Sequence, residues 1–194
     1  PRAEKLEFTD GSFVLRSPQA LGPYARCVGD WLERWAKETP DAPAFAERDA
    51  HGEWRRLTWA QTRAAVGAVA QGLLGLHLPP GKPVVVLSDN SIDHLVLMLA
   101  CMHIGRPVCT VSSAYCRLSQ DYMKIREIVQ MLDPALVYAS DAKVYGPAIR
   151  AMQTSGALQG VVVLGQGAGE VPGAFSYEML ASMVEGPGVM KAFA

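Results

Sequence analysis

The run Pro83-Val84-Val85-Val86-Leu87 constrains this chain more than any other segment. Its unbroken β-branched residues leave no polar face, so a strand built from them has to be covered on both sides. Coverage on both sides comes from strand–helix–strand crossovers, which are right-handed and lay the strands parallel. The sequence that follows supplies that rhythm. Ile92–Ile104 is apolar almost all round and reads as a buried helix, opened by Asn90 or Ser91 and closed by Gly105. Pro107–Val111, Ala135–Ala139 and Gly160–Leu164 read as further short strands. Ser119 opens a helix with Ile125, Ile128, Val129 and Leu132 on one face, stopped by Asp133-Pro134. Asp141 caps another that ends near Gly156. The expected fold is α/β: a mainly parallel sheet with flanking helices, preceded by a small hairpin and an irregular arm.

Residues 1–26 read as that arm, because Pro18, Gly22 and Pro23 interrupt any regular element. Val28, Trp31, Leu32 and Trp35 recur at helical spacing, and Glu38-Thr39-Pro40 ends the helix. Ala44–Glu47 and Trp54–Leu57 form the hairpin, with His51-Gly52 at its turn. Thr58 and Gln61 have the spacing of a capping box, in which each side chain serves the other's backbone amide. The helix they open runs to about Leu74, with Gly75 as its left-handed stop. After Gly165 the rhythm is lost: Gly165–Gly173 reads as a loop, Tyr177–Met183 as a short helix and Gly186-Pro187-Gly188 as another loop. Residues 27–194 are expected to be one partial domain.

Eighteen basic and 19 acidic residues give a net charge of -1, so no field of one sign steers the chain to nucleic acid or an anionic membrane. The apolar stretch Leu95–Met102 is too short to span a bilayer, and residues 1–16 have no signal-peptide core. Cys27, Cys101, Cys109 and Cys116 show no CxxC spacing, and free thiols in a reducing cytosol are the expectation. A cytoplasmic location follows from that reading.

Ligands of parallel sheets bind beyond the carboxyl ends of the strands. Four segments lie there: Ser88–Ser91, Ser112–Tyr115, Ser140–Asp141 and Gly165–Gly169. Asn90 and Ser91 read first as helix caps and second as a wall of a substrate crevice. Ser112, Ser113 and Tyr115 read as a turn whose small hydroxyl residues allow close approach, with an aromatic wall from Tyr115. The last segment fails as a dinucleotide fingerprint: Glu170 stands where a Gly or Ala is needed, and Pro172-Gly173 prevents the helix that would hold a pyrophosphate. His51, His77, His94 and His103 form no zinc-like i, i+4 pair and are expected as packed or capping side chains. Lys143 and Arg150 read as a solvated helix face. No nucleophile elbow or phosphate loop is present in these residues.

In order along the chain, several segments resemble those of adenylate-forming enzymes. Leu57-Thr58-Trp59-Ala60-Gln61 is similar to their first core motif, and Met102-His103-Ile104-Gly105-Arg106-Pro107-Val108 to their second. Between them, Pro83–His94 resembles the family's strand and helix start. Leu21–Arg26, Ala46–Asp49, Trp54–Thr58 and Val111–Tyr115 resemble feruloyl-CoA synthetases in particular. The resemblance runs from about Leu15 to Gly165 and implies a two-step reaction. An aromatic carboxylate and ATP, with Mg²⁺ on the phosphates, give an acyl-adenylate and pyrophosphate; the thiol of CoA then gives a thioester and AMP. Thr110 and Ser113 stand where many members of the wider superfamily have Pro.

The family's glycine- and serine-rich phosphate loop, its adenine and ribose segments and its catalytic Lys have no counterpart in these 194 residues. The resemblance therefore assigns no catalytic, cofactor-binding or metal-binding residue here, and implies a front section that stops short of the phosphate loop and is inactive alone. Val189–Phe193 is expected where the strand leading into that loop begins. Two other readings stay open. One is a non-catalytic α/β binding or interaction module, whose uncovered apolar face would pair two copies. The other is a small Rossmann-like or flavodoxin-like enzyme.

Overall fold

A computed structural model describes residues 2–49 and 51–194. Strands β1 (Glu4–Glu7) and β2 (Phe13–Arg16) pair as an antiparallel hairpin. They lie in the stretch expected to be an irregular arm, and every residue of both is exposed. Helix α1 (Val28–Glu38) leads to a second hairpin, β3 (Pro43–Arg48) and β4 (Trp54–Thr58).

Helix α2 (Trp59–Gly75) starts on the expected capping box: Thr58 Oγ1 accepts from Gln61 N at 3.2 Å and Gln61 Oε1 accepts from Thr58 N at 2.9 Å. Its stop differs from expectation. Gly75 is helical, and the left-handed residue is His77, at φ 47°.

Strand β5 (Val84–Leu87) is buried throughout. Helix α3 (Ile92–His103) follows and is closed by Gly105 at φ 66°. Strand β6 (Val108–Val111) then leads into a single turn, α4 (Ala114–Arg117), where the sequence reading expected no helix. Helix α5 (Met123–Leu132) ends on left-handed Asp133, and β7 (Leu136–Asp141) runs into α6 (Ala142–Thr154). Strand β8 (Val161–Gln166), the two-residue β9 (Phe175–Ser176), α7 (Tyr177–Ala181) and α8 (Pro187–Phe193) complete the order. Gly186-Pro187-Gly188 thus opens a helix rather than a loop, because Pro187 sits in its first turn, where a missing N–H costs nothing. The same helix occupies Val189–Phe193, where a strand was expected.

The main sheet is parallel, in the order β6-β5-β7-β8-β9. The pleat sends alternate residues to opposite faces. Val84, Val86, Leu136, Tyr138 and Val163 meet Leu32, Val66, Leu73, Leu97 and Val189 from α1, α2, α3 and α8. Val85, Leu87, Val137, Ala139, Val162 and Leu164 meet Ile125, Val129, Ile149 and Met152 from α5 and α6. This double cover is what the β-branched runs require. Counted from β5, the strand order is 2-1-3-4-5, which flavodoxin-like sheets share; an order of strands fixes no chemistry. It does fix a switch point between β5 and β7, where successive connections leave in opposite directions.

At the amino ends of the strands, Arg106 donates to the carbonyls of Leu78 and Lys82, each at 3.1 Å, and to that of Pro79. This pins the loop before β5 to the loop before β6.

Candidate functional site

Beyond the carboxyl end of β5, Ser88 is buried and Asp89 turns outward. The Asp89 carboxylate accepts from Ser113 Oγ at 2.6 Å and from Arg117 Nη1 at 2.7 Å. The single turn α4 makes this possible. Ser113 and Arg117 are four residues apart, so one helical turn brings both to the same side. Tyr145, on α6, lies close to this cluster. Burial first, then the Asp89 carboxylate, push its phenol above the ordinary value, while Ser113 and Ser140 oppose the shift. Tyr145 is a neutral phenol at physiological pH.

His94 Nδ1 faces the Asp89 carbonyl at 3.3 Å. A carbonyl only accepts, so Nδ1 is the donor in this contact. Ser91 caps α3, its Oγ accepting from His94 N at 3.1 Å. A second cap reaches in from the β3–β4 hairpin: Glu47 Oε2 accepts from Ile92 N at 2.6 Å. Arg55 bridges Glu47 at 3.0 Å and Asp93 at 3.2 Å. The positive end of α3 is therefore already met by carboxylates of the chain itself, which disfavours an added phosphate there.

Two cavities flank Asn90 and His94. One, of about 550 Å³, is polar and lined by Ser88, Asp89, Thr110, Ser112 and Ser113 as well. The other, of about 280 Å³, is mainly apolar and lined by Phe45, Ser91, Ile92, Leu95 and Met98 among others. Of the residues singled out in the sequence, Asn90, Ser112 and Ser113 line the polar cavity, and Asn90 and Ser91 the apolar one. Tyr115, half on the surface, lines neither. Asp89, Arg117, Tyr145 and Glu47 were not singled out as site residues. The Ser113/Arg117 spacing would have revealed the first pair, had Ser112–Cys116 been read as helical.

Asp89 is the only carboxylate lining the polar cavity, and both its oxygens are engaged. Mg²⁺ bound through protein carboxylates and phosphates needs free oxygen ligands, and among the described residues no three His, Cys, Asp or Glu side chains group to hold a metal. The Gly165–Gly169 loop closes into a tight turn, with left-handed Gly167 packed against Ala142, and offers no phosphate cradle. These residues do not fit ATP phosphates with their metal. What the site does offer is a hydroxyl-lined crevice with a fixed carboxylate, beside an apolar hollow.

The sequence pattern of the family described as AMP-binding enzyme matches residues 32–167. The nonribosomal peptide synthetase ungA' of Aspergillus campestris is 31% identical over 125 residues, 64% of this chain and 1% of that protein. The mitochondrial medium-chain acyl-CoA ligase ACSF2 of Bos taurus is 31% identical over 97 residues, 50% of this chain and 15% of that protein. Among solved structures, a long-chain-fatty-acid CoA ligase of Rhodopseudomonas palustris superposes with a TM-score of 0.66 at 25% identity, covering 83% of this chain and 38% of that one. The chain thus spans 15% or less of those curated relatives' length.

Proposed function

The chain belongs to the AMP-binding enzyme family, and from that premise we propose that it is the front section of an acid–CoA ligase acting on an aromatic carboxylate of the feruloyl type. The carrying observation is that the family match covers residues 32–167, the span from within α1 to the end of β8 that holds four of the five strands of the doubly covered sheet. The similarity of Leu21–Arg26, Ala46–Asp49 and Val111–Tyr115 to feruloyl-CoA synthetases supports the finer substrate.

In this reading the whole protein joins the carboxylate to AMP, releasing pyrophosphate from ATP, and passes the acyl group to the thiol of CoA. Mg²⁺ would neutralise the phosphates when bound; no residue described here is assigned to it. This section contributes a rigid sheet and a crevice wall. Asn90, Ser91, Ser112 and Ser113 stand at that wall, and Asp89 fixes Ser113 and Arg117 in place. Tyr115 takes no part in the wall. Without a phosphate loop or an acid–base pair, the 194 residues alone have no means to stabilise the charge developed in adenylation.

The test uses the full-length protein with ATP, Mg²⁺, CoA and either ferulate or a fatty acid of similar mass. Pyrophosphate release and thioester absorbance that depend on ferulate support the proposal. Turnover confined to the fatty acid refutes the aromatic substrate, and no acid-dependent pyrophosphate with either refutes the ligase reading.

A further inference from the structure

His103 is the last residue of α3, 1% exposed, and neither ring nitrogen has a hydrogen-bond partner. It lies between two other helices. Phe193 of α8 stacks on the ring at a centroid distance of 4.1 Å and an interplanar angle of 5°. On the α1 side, Gly29 leaves so little room that a Cβ there would stand 3.2 Å from Nδ1 and would collide with Phe193.

The charged groups around the ring come from three elements. Glu33 of α1 places Oε1 3.4 Å from Nε2, without hydrogen-bond geometry. Arg63 of α2 is ion-paired with that same oxygen, and its other nitrogens fork onto Glu185, before α8, at 2.7 and 2.9 Å. Both carboxylates near the imidazole are thus engaged by one guanidinium.

We propose that His103 is an acid-sensitive latch: neutral, it seats Phe193 and holds the segment Glu185–Phe193 against α1, α2 and α3, and its protonation releases that segment. An imidazolium would carry two N–H donors into a place where the nearby carboxylate oxygen, Glu33 Oε1, lies 3.4 Å from Nε2 without hydrogen-bond geometry and is already ion-paired with Arg63. It would also set a positive charge beside Arg63 and compete with it for Glu33 and Glu185. Relief is available where the cover is thinnest. The segment is held by Phe193, Val189, the Arg63–Glu185 fork, Gly186 N to Gln71 at 3.0 Å, and Arg26, which donates to the carbonyls of Phe193 and Ala194 at 2.8 and 2.7 Å.

The direction in pH follows from linkage. Burial, then Arg63, lower the His103 pKa below 6.5, against Glu33 and Glu185. The closed state therefore binds the proton more weakly than the open one. Closure is fully supported above pH 6.5 and weakens as pH falls below it.

Hydrogen exchange of the full-length protein, corrected for intrinsic rates, reads this directly. Between pH 7.5 and 5.5 the opening of residues 187–193 should rise, by at most about tenfold for one proton with an open-state pKa of about 6.5, while residues 66–73 of α2 stay unchanged. In His103→Gln the rise should vanish. A wild-type segment indifferent to pH, or a His103→Gln protein with the wild-type rise, overturns the latch. Should that variant not fold, the ring itself decides: titration of the assigned His103 signal by NMR should show a midpoint below 6.5, and a midpoint at or above 6.5 overturns the proposal.

Discussion

Gly160 stands immediately before β8, where a single methyl group has nowhere to go. A Cβ built there lies 2.4 Å from the Pro134 carbonyl oxygen and 2.8 Å from that of Ala135. Those oxygens are not loose side-chain ends. Ala135 accepts from Val161 N at 2.9 Å and itself donates to Pro83 O at 3.0 Å, so it is tied to β8 on one side and to the start of β5 on the other. Separating them means sliding the β7–β8 register that the buried valines depend on. Overpacking of this kind costs about 1–3 kcal/mol, and rigid backbone on both sides puts Gly160→Ala near about 2–3 kcal/mol. For a unit of this size that is a fall in Tm of roughly 4–12 °C. Gly75 is the control. It is helical, has no positive φ and nothing within 4 Å of a built Cβ, so Gly75→Ala should stabilise by about 0.5–1 kcal/mol. Thermal unfolding of the two variants beside the parent checks both signs. A Gly160→Ala protein that melts with the parent would show that the β7–β8 contact yields easily, and the reasoning would fail.

Thr58→Ala removes half of the α2 capping box and should cost about 1 kcal/mol, measured by urea unfolding. Thiol labelling should separate the cysteines. Exposed Cys27 reacts at once, while Cys101 and Cys116, buried with thiols pushed up to about 12 and about 11, react only on unfolding. Asp89→Asn should change stability by less than about 1 kcal/mol, because the Asp89–Arg117 pair is exposed. If the crevice serves the substrate, the same change lowers kcat/KM of the full-length enzyme roughly tenfold, the worth of one charged hydrogen bond. An unaltered kcat/KM would remove Asp89 from the site.

The parallel sheet was legible because its signal is local and redundant. Val84–Leu87 can be buried in only one way, α3 has no polar face to expose, and Thr58/Gln61 carry their own geometry. What escaped depends on distant partners. The β1–β2 pairing, in a stretch punctuated downstream by Pro18 and Gly22, gives little periodicity to read. Phe175–Ser176 becomes a strand only because β8 offers it an edge. α8 exists because Val189 and Phe193 find a seat on α1, α2 and α3, which no spacing within Gly186–Ala194 reveals. The site shows the same division. Asn90, Ser91, Ser112 and Ser113 were placed by the strand-end rule, whereas Glu47 and Tyr145 arrive from elements far away in sequence. Tyr115, on the single turn α4, lines neither cavity and is 38% exposed.

The brevity of β9 bears on how this protein ages in solution. The tract Val161–Leu164 is apolar and β-branched, with high cross-β propensity and no charge to interrupt it. Its outer edge is paired only through Val163 with Phe175 and Leu164 with Ser176. Fraying of two residues therefore uncovers a ready template for intermolecular strand addition. Fibrillar loss on storage would begin at that edge, and Phe175→Lys, at a position already 43% exposed, is the gatekeeper substitution that should delay it.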